Sequence, residues 1–174
     1  TLTITDRAKV MLFDHIGNFL HGRRVGDFFA GTGSLGIEAL SRGAAHATFI
    51  DLAPAAIKTI HDNLASTGLA DRATVRKANA FDVLKQPPQP VDLLYIAPPQ
   101  YKNLWLDILN AVDAAPQWVK PDGRIVVQID PKEQKPVALK SFHPYDERQY
   151  GSTLLWFFRH ISTDETQSED SSFT

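Results

Sequence analysis

The chain reads as a single α/β domain: a doubly wound, mostly parallel sheet that finishes in an antiparallel hairpin. Three observations predict it. Short apolar runs alternate with segments of helical periodicity, a glycine-rich turn joins the first run to the first crossover segment, and the last two apolar runs are separated by a polar stretch with no helix between them. The 174 residues suffice for one hydrophobic core without staples.

The elements follow in chain order. From Thr5 to Leu20, the residues Ala8, Met11, Leu12, Ile16, Phe19 and Leu20 recur at helical spacing, with Thr3 and Asp6 as a capping-box-like start and Gly22 as the stop. Val25 to Phe29 is a strand, Leu35 to Leu40 a helix that stops at Gly43, and Ala47 to Ile50 a second strand. Pro54 opens the helix that runs to Ser66, where proline costs nothing because its missing N–H would be unpaired anyway, and Gly68 closes it. Ala73 to Arg76 is a third strand. A short segment around Phe81 to Leu84 leads to the loop Gln86-Pro87-Pro88-Gln89-Pro90, then to the apolar strand Val91 to Ile96. Leu104, Ile108, Leu109 and Val112 form one helical face. Pro121-Asp122-Gly123 turns into the strand Arg124 to Ile129, and Lys140 to Phe142 and Thr153 to Phe158 form the closing pair.

Composition removes several classes of function. There is no cysteine, hence no disulfide framework, thiolate zinc site or thiol nucleophile. The six histidines never fall in a metal-ligand spacing, so no metal is expected. No apolar run approaches the roughly 20 residues of a membrane-spanning helix, and no secretory signal opens the chain. The expectation is a cytoplasmic monomer without membrane contact. The net charge of −2 looks unfavourable for a nucleic-acid partner. However, Asp164, Glu165, Glu169 and Asp170 lie in a polar segment, and without them 16 acidic residues face 18 basic ones. Residues 1–161 are expected to form the domain and 162–174 an acidic, disordered tail. The chain starts at Thr1 with no initiator Met, as a trimmed chain would.

Gly31, Gly33 and Gly36 fit G-x-G-x-x-G between the first strand and its crossover helix, a spacing that lets backbone approach a nucleotide-like ligand. Asp51, at the end of the second strand, is placed to accept from ribose hydroxyls. Dinucleotides and S-adenosylmethionine share this geometry. Asp27 favours the second, because a carboxylate can meet a methionine ammonium but repels a pyrophosphate; its other reading is a structural acid bonded to backbone. At the carboxyl end of Val91 to Ile96 stands Ala97-Pro98-Pro99-Gln100-Tyr101. Its prolines remove two backbone donors and leave carbonyls free to accept from an exocyclic amine, and Tyr101 offers a ring for a flat base.

The block from Phe29 to Ala44, FAGTGSLGIEALSRGA, resembles the signature of the bacterial RsmD-type methyltransferases, which modify guanine N2 in small-subunit ribosomal RNA. Thr5-Asp6-Arg7 and Tyr150-Gly151-Ser152-Thr153 resemble that family's flanking segments, so the resemblance covers residues 3 to 160. It implies a class I methyltransferase (Rossmann-like) seven-stranded sheet, S-adenosylmethionine as methyl donor, and ribosomal RNA or the small ribosomal subunit as partner. By the same resemblance, Asp27, Phe29, Ala30, Gly31, Gly33 and Ser34 surround the donor, Asp51 and Leu52 take its ribose side, and Asn79, Ala80 and Phe81 flank its adenine. Ala97, Pro98, Pro99 and Tyr101 are the catalytic positions, and Arg7 joins Tyr101 on the substrate side. Two departures stand out. Ala97 occupies the place of an acid in the family's Asp-Pro-Pro pattern, with Gln100 inserted before Tyr101, and the family's N-terminal hairpin is absent from this chain. Three functions stay open: a guanine-N2 methyltransferase, a donor-binding protein with weakened catalysis, and a dinucleotide-dependent oxidoreductase.

Overall fold

The computed structural model describes residues 4–161. The tail expected over 162–174 lies outside the described residues. The strands are β1 (Arg24–Phe28), β2 (His46–Asp51), β3 (Ala73–Lys77), β4 (Val91–Ile96), β5 (Val119–Ile129), β6 (Phe142–Tyr150) and β7 (Thr153–His160). They form one sheet in the order β3-β2-β1-β4-β5-β7-β6. Neighbours from β3 to β5 are parallel, whereas β7 runs antiparallel to both β5 and β6. After β1 the chain moves outward to β2 and β3 and then returns to β4 on the other side of β1. That reversal opens a crevice at the carboxyl ends of β1 and β4.

Among the described residues, five α-helices cover the sheet: α1 (Asp6–Ile16), α2 (Ser34–Ser41), α3 (Pro54–Thr67), α4 (Ala80–Leu84) and α5 (Leu104–Ala114). Alternation along the strands sorts the core into two layers. Val25, Phe49, Leu93, Tyr95, Leu155 and Phe157 pack beneath α1, α2 and α3. Phe28, Ile50, Leu94, Ile96, Trp156 and Phe158 pack beneath α4 and α5 with Trp105 and Trp118. All three tryptophans are core residues. β4 is buried along its whole length because both faces are covered.

Local chemistry sets most boundaries. α3 carries Pro54 in its first turn and ends at Gly68, whose left-handed backbone directs its N–H to the Ala65 and Leu64 carbonyls. Thr3 of the expected capping pair lies outside the described residues; the N-cap of α1 is Thr5, whose hydroxyl accepts from the Ala8 N–H at 3.1 Å. α1 also stops earlier than its periodicity predicts, at Gly17, and the chain continues to Leu20 as a 3₁₀ turn.

Two strands differ from expectation. Pro121-Asp122-Gly123 does not precede β5 but bulges within it: two steps along β4, from Val91 to Leu93, match five along β5, from Val119 to Arg124. A Cβ on Gly123 would lie 2.7 Å from Val119 and 2.9 Å from the Lys120 carbonyl, so the bulge requires glycine. The polar stretch Tyr145 to Gly151, expected to separate the two closing strands, instead forms most of β6 as far as Tyr150. An edge strand needs only one apolar face, and charged residues there discourage pairing with other chains.

Gly36 packs hardest against the sheet: a Cβ there would come within 2.4 Å of the Phe49 ring, which is fully buried. Gly36→Ala is expected to lower stability by about 1–3 kcal/mol through this overpacking. Urea unfolding checks it; a midpoint equal to wild type would contradict the contact.

Candidate functional site

The glycine turn is built from the ends of two neighbouring strands. Gly31 and Gly33 hold φ of 59° and 78°, left-handed values that other residues resist. Phe29, which is not glycine, is also held at φ 63°, a strain of order 1–3 kcal/mol that surrounding contacts must offset. They do so closely. The Ala30 N–H donates to the Ile50 carbonyl at 2.9 Å, and the Gly31 N–H donates to Asp51 Oδ2 at 2.9 Å. Asp51 Oδ1 accepts from the Ala53 N–H at 2.9 Å, so each carboxylate oxygen keeps lone-pair capacity in a fixed direction. From α3, the Asn63 amide donates to the Thr32 carbonyl at 2.9 Å and anchors the outer side of the turn.

Two cavities flank this rim. The first, about 260 Å³, is lined by Ile4, Asp27, Phe29, Ala30, Gly31, Ser34, Tyr95 and Ala97, among others. The second, about 280 Å³, is lined by Phe29, Asp51, Leu52, Asn79, Ala80, Phe81, Pro99 and Tyr101, among others. Phe29 borders both.

Most of the expected site residues therefore come together, with four exceptions of detail. Gly33 shapes the turn but lines neither cavity; its N–H closes on the Ala30 carbonyl at 2.8 Å, and it caps α2. Pro98 is buried between Ala97 and Pro99 and lines neither. The Pro99 carbonyl is not free, because it accepts from the Tyr101 N–H at 2.8 Å, whereas the Pro98 carbonyl accepts from no donor among the described residues. Arg7 borders neither cavity. It lies in a groove between α1 and β6 with Val10, Asp14, His15 and Arg148, where its guanidinium donates to the Tyr150 hydroxyl.

Asn79 has a structural duty at the second cavity. Its Oδ1 accepts from the Phe81 N–H at 2.8 Å and caps α4, which sets Ala80 and Phe81 along the wall. Tyr101 is 70% exposed at the rim, presenting an open ring face.

Asp27 sits deepest, 2% exposed, at the floor of the first cavity. Burial pushes its pKa up to about 8 against the pull of the Gly36 N–H, which donates to Oδ2 at 3.3 Å; the Asp51 charge raises it further. Both readings of Asp27 thus hold at once: it bonds backbone and it faces the cavity. Tyr95 pairs directly opposite Asp27 in the sheet, and burial followed by the Asp27 charge raises its phenol well above the ordinary range. The Tyr95 hydroxyl donates to Gln128 Oε1 on β5, also buried.

Several residues of the site escape the sequence reading, Tyr95 and Thr59 among them. Ile4 closes one wall of the first cavity, and Lys9 on α1 donates from Nζ to Ser34 Oγ at 3.1 Å. Neither belongs to a motif; each arrives from the segment before β1. Arg23 is bound to Asp92 and Asp122. Among the described residues, no three His, Cys, Asp or Glu side chains are placed to hold a metal ion. No helix among them is long and apolar enough to cross a membrane.

A seven-stranded sheet of this order, with a glycine turn after β1 and an acid after β2, defines a class I methyltransferase fold. The family model described as Conserved hypothetical protein 95 matches residues 3–159, and the chain belongs to that family, the RsmD type. YlbH of Bacillus subtilis is 33% identical over 162 residues, spanning 91% of this chain and 88% of its own. Ribosomal RNA small subunit methyltransferase D of Escherichia coli is 28% identical over 165 residues, spanning 95% and 82%. The solved structure of yhhF from Escherichia coli shares 27% identity and superposes with a TM-score of 0.83, covering 93% of this chain and 90% of that one.

The Asp27 shift has a stability consequence. A carboxyl whose folded pKa lies above its unfolded value of about 3.8 leaves the fold most stable below that value, with stability falling as pH rises and levelling off above about 8. Asp27→Asn is expected to flatten this dependence and to gain stability over wild type most at pH 9. Urea midpoints from pH 5 to 9 measure it; parallel curves for the two proteins would refute the assignment.

Proposed function

We propose that this protein is an S-adenosylmethionine-dependent methyltransferase of small-subunit ribosomal RNA that modifies the exocyclic N2 of a guanine. One observation carries the reading. The two cavities meet at Phe29 beside the Asp51 carboxylate, with the turn from Ala97 to Tyr101 bordering both. The residues fit such a donor: a buried acid at the floor suits an ammonium, fixed carboxylate oxygens suit a pair of ribose hydroxyls, and the Ala80–Phe81 wall suits a flat base. Relatives named as small-subunit ribosomal RNA methyltransferases support the substrate class. The dinucleotide alternative finds no support among them.

When bound, the donor supplies a methyl group on a cationic sulfur that departs as a neutral thioether, so no acid is needed. The chain's task is to position and desolvate the acceptor. Tyr101 stacks a base taken out of its helix, and the Pro98 carbonyl accepts one hydrogen of its amine. Ala97 offers no side-chain acceptor, and the amine proton passes to solvent after transfer.

The direct test is transfer of labelled methyl to undermethylated 30S particles or their RNA, followed by nucleoside analysis for N2-methylguanosine. Donor binding without transfer would instead support the weakened-site reading that Ala97 favours. Asp51→Ala is expected to weaken donor binding at least tenfold, since hydrogen bonds to a charged group contribute about 1.5–3 kcal/mol. Tyr101→Ala is expected to cut turnover about tenfold, within the roughly 1–3 kcal/mol of one aromatic–base stack, with donor affinity held within twofold. Equilibrium titration and single-turnover rates separate the two. An ammonium beside Asp27 must displace its proton, so donor affinity should rise with pH toward about 8 and fall again above it as the α-ammonium itself deprotonates. An Asp27→Asn variant that retained the same rise would contradict this role.

A further inference from the structure

The sheet carries a row of basic residues at the end away from the crevice. Arg124 follows the Pro121-Asp122-Gly123 bulge on β5 and stands directly opposite Arg159 on β7, which in turn stands opposite His143 on β6. Arg124 lies two residues before Val126 and Arg159 two after Phe157, and both of those belong to the core layer beneath α1, so alternation brings the two guanidiniums out on the α1 side of the sheet. Arg124 pairs with Leu93 on β4, four residues before Ala97, which puts the row about 13 Å from the acceptor turn.

Like charges directly opposite each other in an antiparallel pair are destabilising. Asp146 is taken by His15 and Arg148, and Asp92 and Asp122 by Arg23, so neither Arg124 nor Arg159 has a carboxylate partner among the described residues. Both are held by aromatic rings instead. The Arg124 guanidinium lies 4.2 Å from the centre of Phe19, on the 3₁₀ turn after α1, and that of Arg159 lies 5.0 Å from the centre of Tyr145 on β6. Burial raises the Tyr145 phenol while both arginines pull it down, so the two charges converge on one ring. Arg159 Nε also donates to His143 Nε2 at 3.4 Å. A guanidinium stacked by its face keeps in-plane N–H donors for an oxyanion, and phosphate matches that fork in geometry and charge. Arg159 is exposed and Arg124 half-buried, so a ligand reaches both from solvent. Two such groups on adjacent strands, with their charge unneutralised, suit a partner of repeated negative charge.

We infer that Arg124 and Arg159 form a second docking site for the ribosomal RNA, which grips phosphodiester groups at a distance from the modified base. The inference rests on the RNA reading above and adds to it a contact that neither binds the donor nor touches the acceptor. An RNA already held at this row presents its base to the crevice at a raised effective concentration. Stacking on Phe19 and Tyr145 orders the two side chains before the RNA arrives, which lowers the cost of the contact.

The experiment measures binding of the full chain to small-subunit ribosomal RNA freed of protein, and to 30S particles, across a salt series; it needs no methyl transfer. The double variant Arg124→Gln, Arg159→Gln is expected to bind RNA about tenfold more weakly and to lower the slope of log affinity against log salt by about one per arginine. Its affinity for S-adenosylmethionine should stay within twofold of wild type, which also shows that it folds. Arg124→Lys with Arg159→Lys should keep the slope. Wild-type affinity and slope in the glutamine variant would overturn the inference and assign the row to the chain's own acids Asp164, Glu165, Glu169 and Asp170. A loss seen with 30S particles but not with free RNA would overturn it in favour of a ribosomal protein. Failure of wild type to bind RNA or particle would overturn the substrate reading itself, and the inference with it.

Discussion

The site depends on the Asp51 carboxylate as a tie between two strand ends. One oxygen receives the Gly31 N–H and the other the Ala53 N–H, so a single side chain fixes the turn after β1 and the turn into α3. Its own carbonyl receives the Ala78 N–H at 3.1 Å, which brings the end of β3 into the same rim. Charge-assisted bonds to backbone are among the stronger ones. Here they hold Phe29, Gly31 and Gly33 in backbone conformations that the chain would not keep alone.

Beneath that rim the sheet carries a short polar row within an apolar layer. Asp27 on β1, Tyr95 on β4 and Gln128 on β5 face the same side, surrounded by Val25, Phe49, Leu93 and Val126. A buried carboxyl costs stability unless it stays protonated or meets a cation. The network relieves only part of this, with one N–H on Asp27 and one hydroxyl–amide bond between Tyr95 and Gln128. Purely apolar residues would pack as well there, so the row is sensible chiefly as the polar floor of a cavity that receives a charged group.

The parts of the architecture legible in the sequence are those set by local rules. Pro54 and Gly68 bound α3 through proline's missing donor and glycine's left-handed backbone, and Gly36 needs its missing Cβ because Phe49 lies against it. The glycine turn and Asp51 were legible because both sit at fixed offsets from strands. β6 was not, because an edge strand keeps charge on its open face and so lacks an apolar run. The bulge in β5 was misplaced because Pro121-Asp122-Gly123 has the composition of a free turn, and only pairing with β4 shows that the strand continues through it. Lys9 and Ile4 carry no local signal. Their roles arise from contacts with residues about 25 positions or more away in sequence.

The acceptor side is made largely by subtraction. Two successive prolines remove N–H donors and hold φ near −65°, which leaves the chain after β4 with carbonyls in excess. Tyr101 uses one of them, at Pro99, to close its own turn, and Leu104 uses the Tyr101 carbonyl at 2.7 Å to start α5. The Pro98 carbonyl, buried between Ala97 and Pro99, accepts from no donor among the described residues, in a setting where an acceptor is worth more than in water. Alanine at 97 removes a charge from this turn that would otherwise stand close to Asp27, whose carboxyl is already disfavoured as an anion by burial and by Asp51. In the proposed function, fewer negative groups around one cavity would let Asp27 ionise when a cation arrives, and would shift the burden of orienting an acceptor amine onto a neutral carbonyl and an exposed aromatic ring.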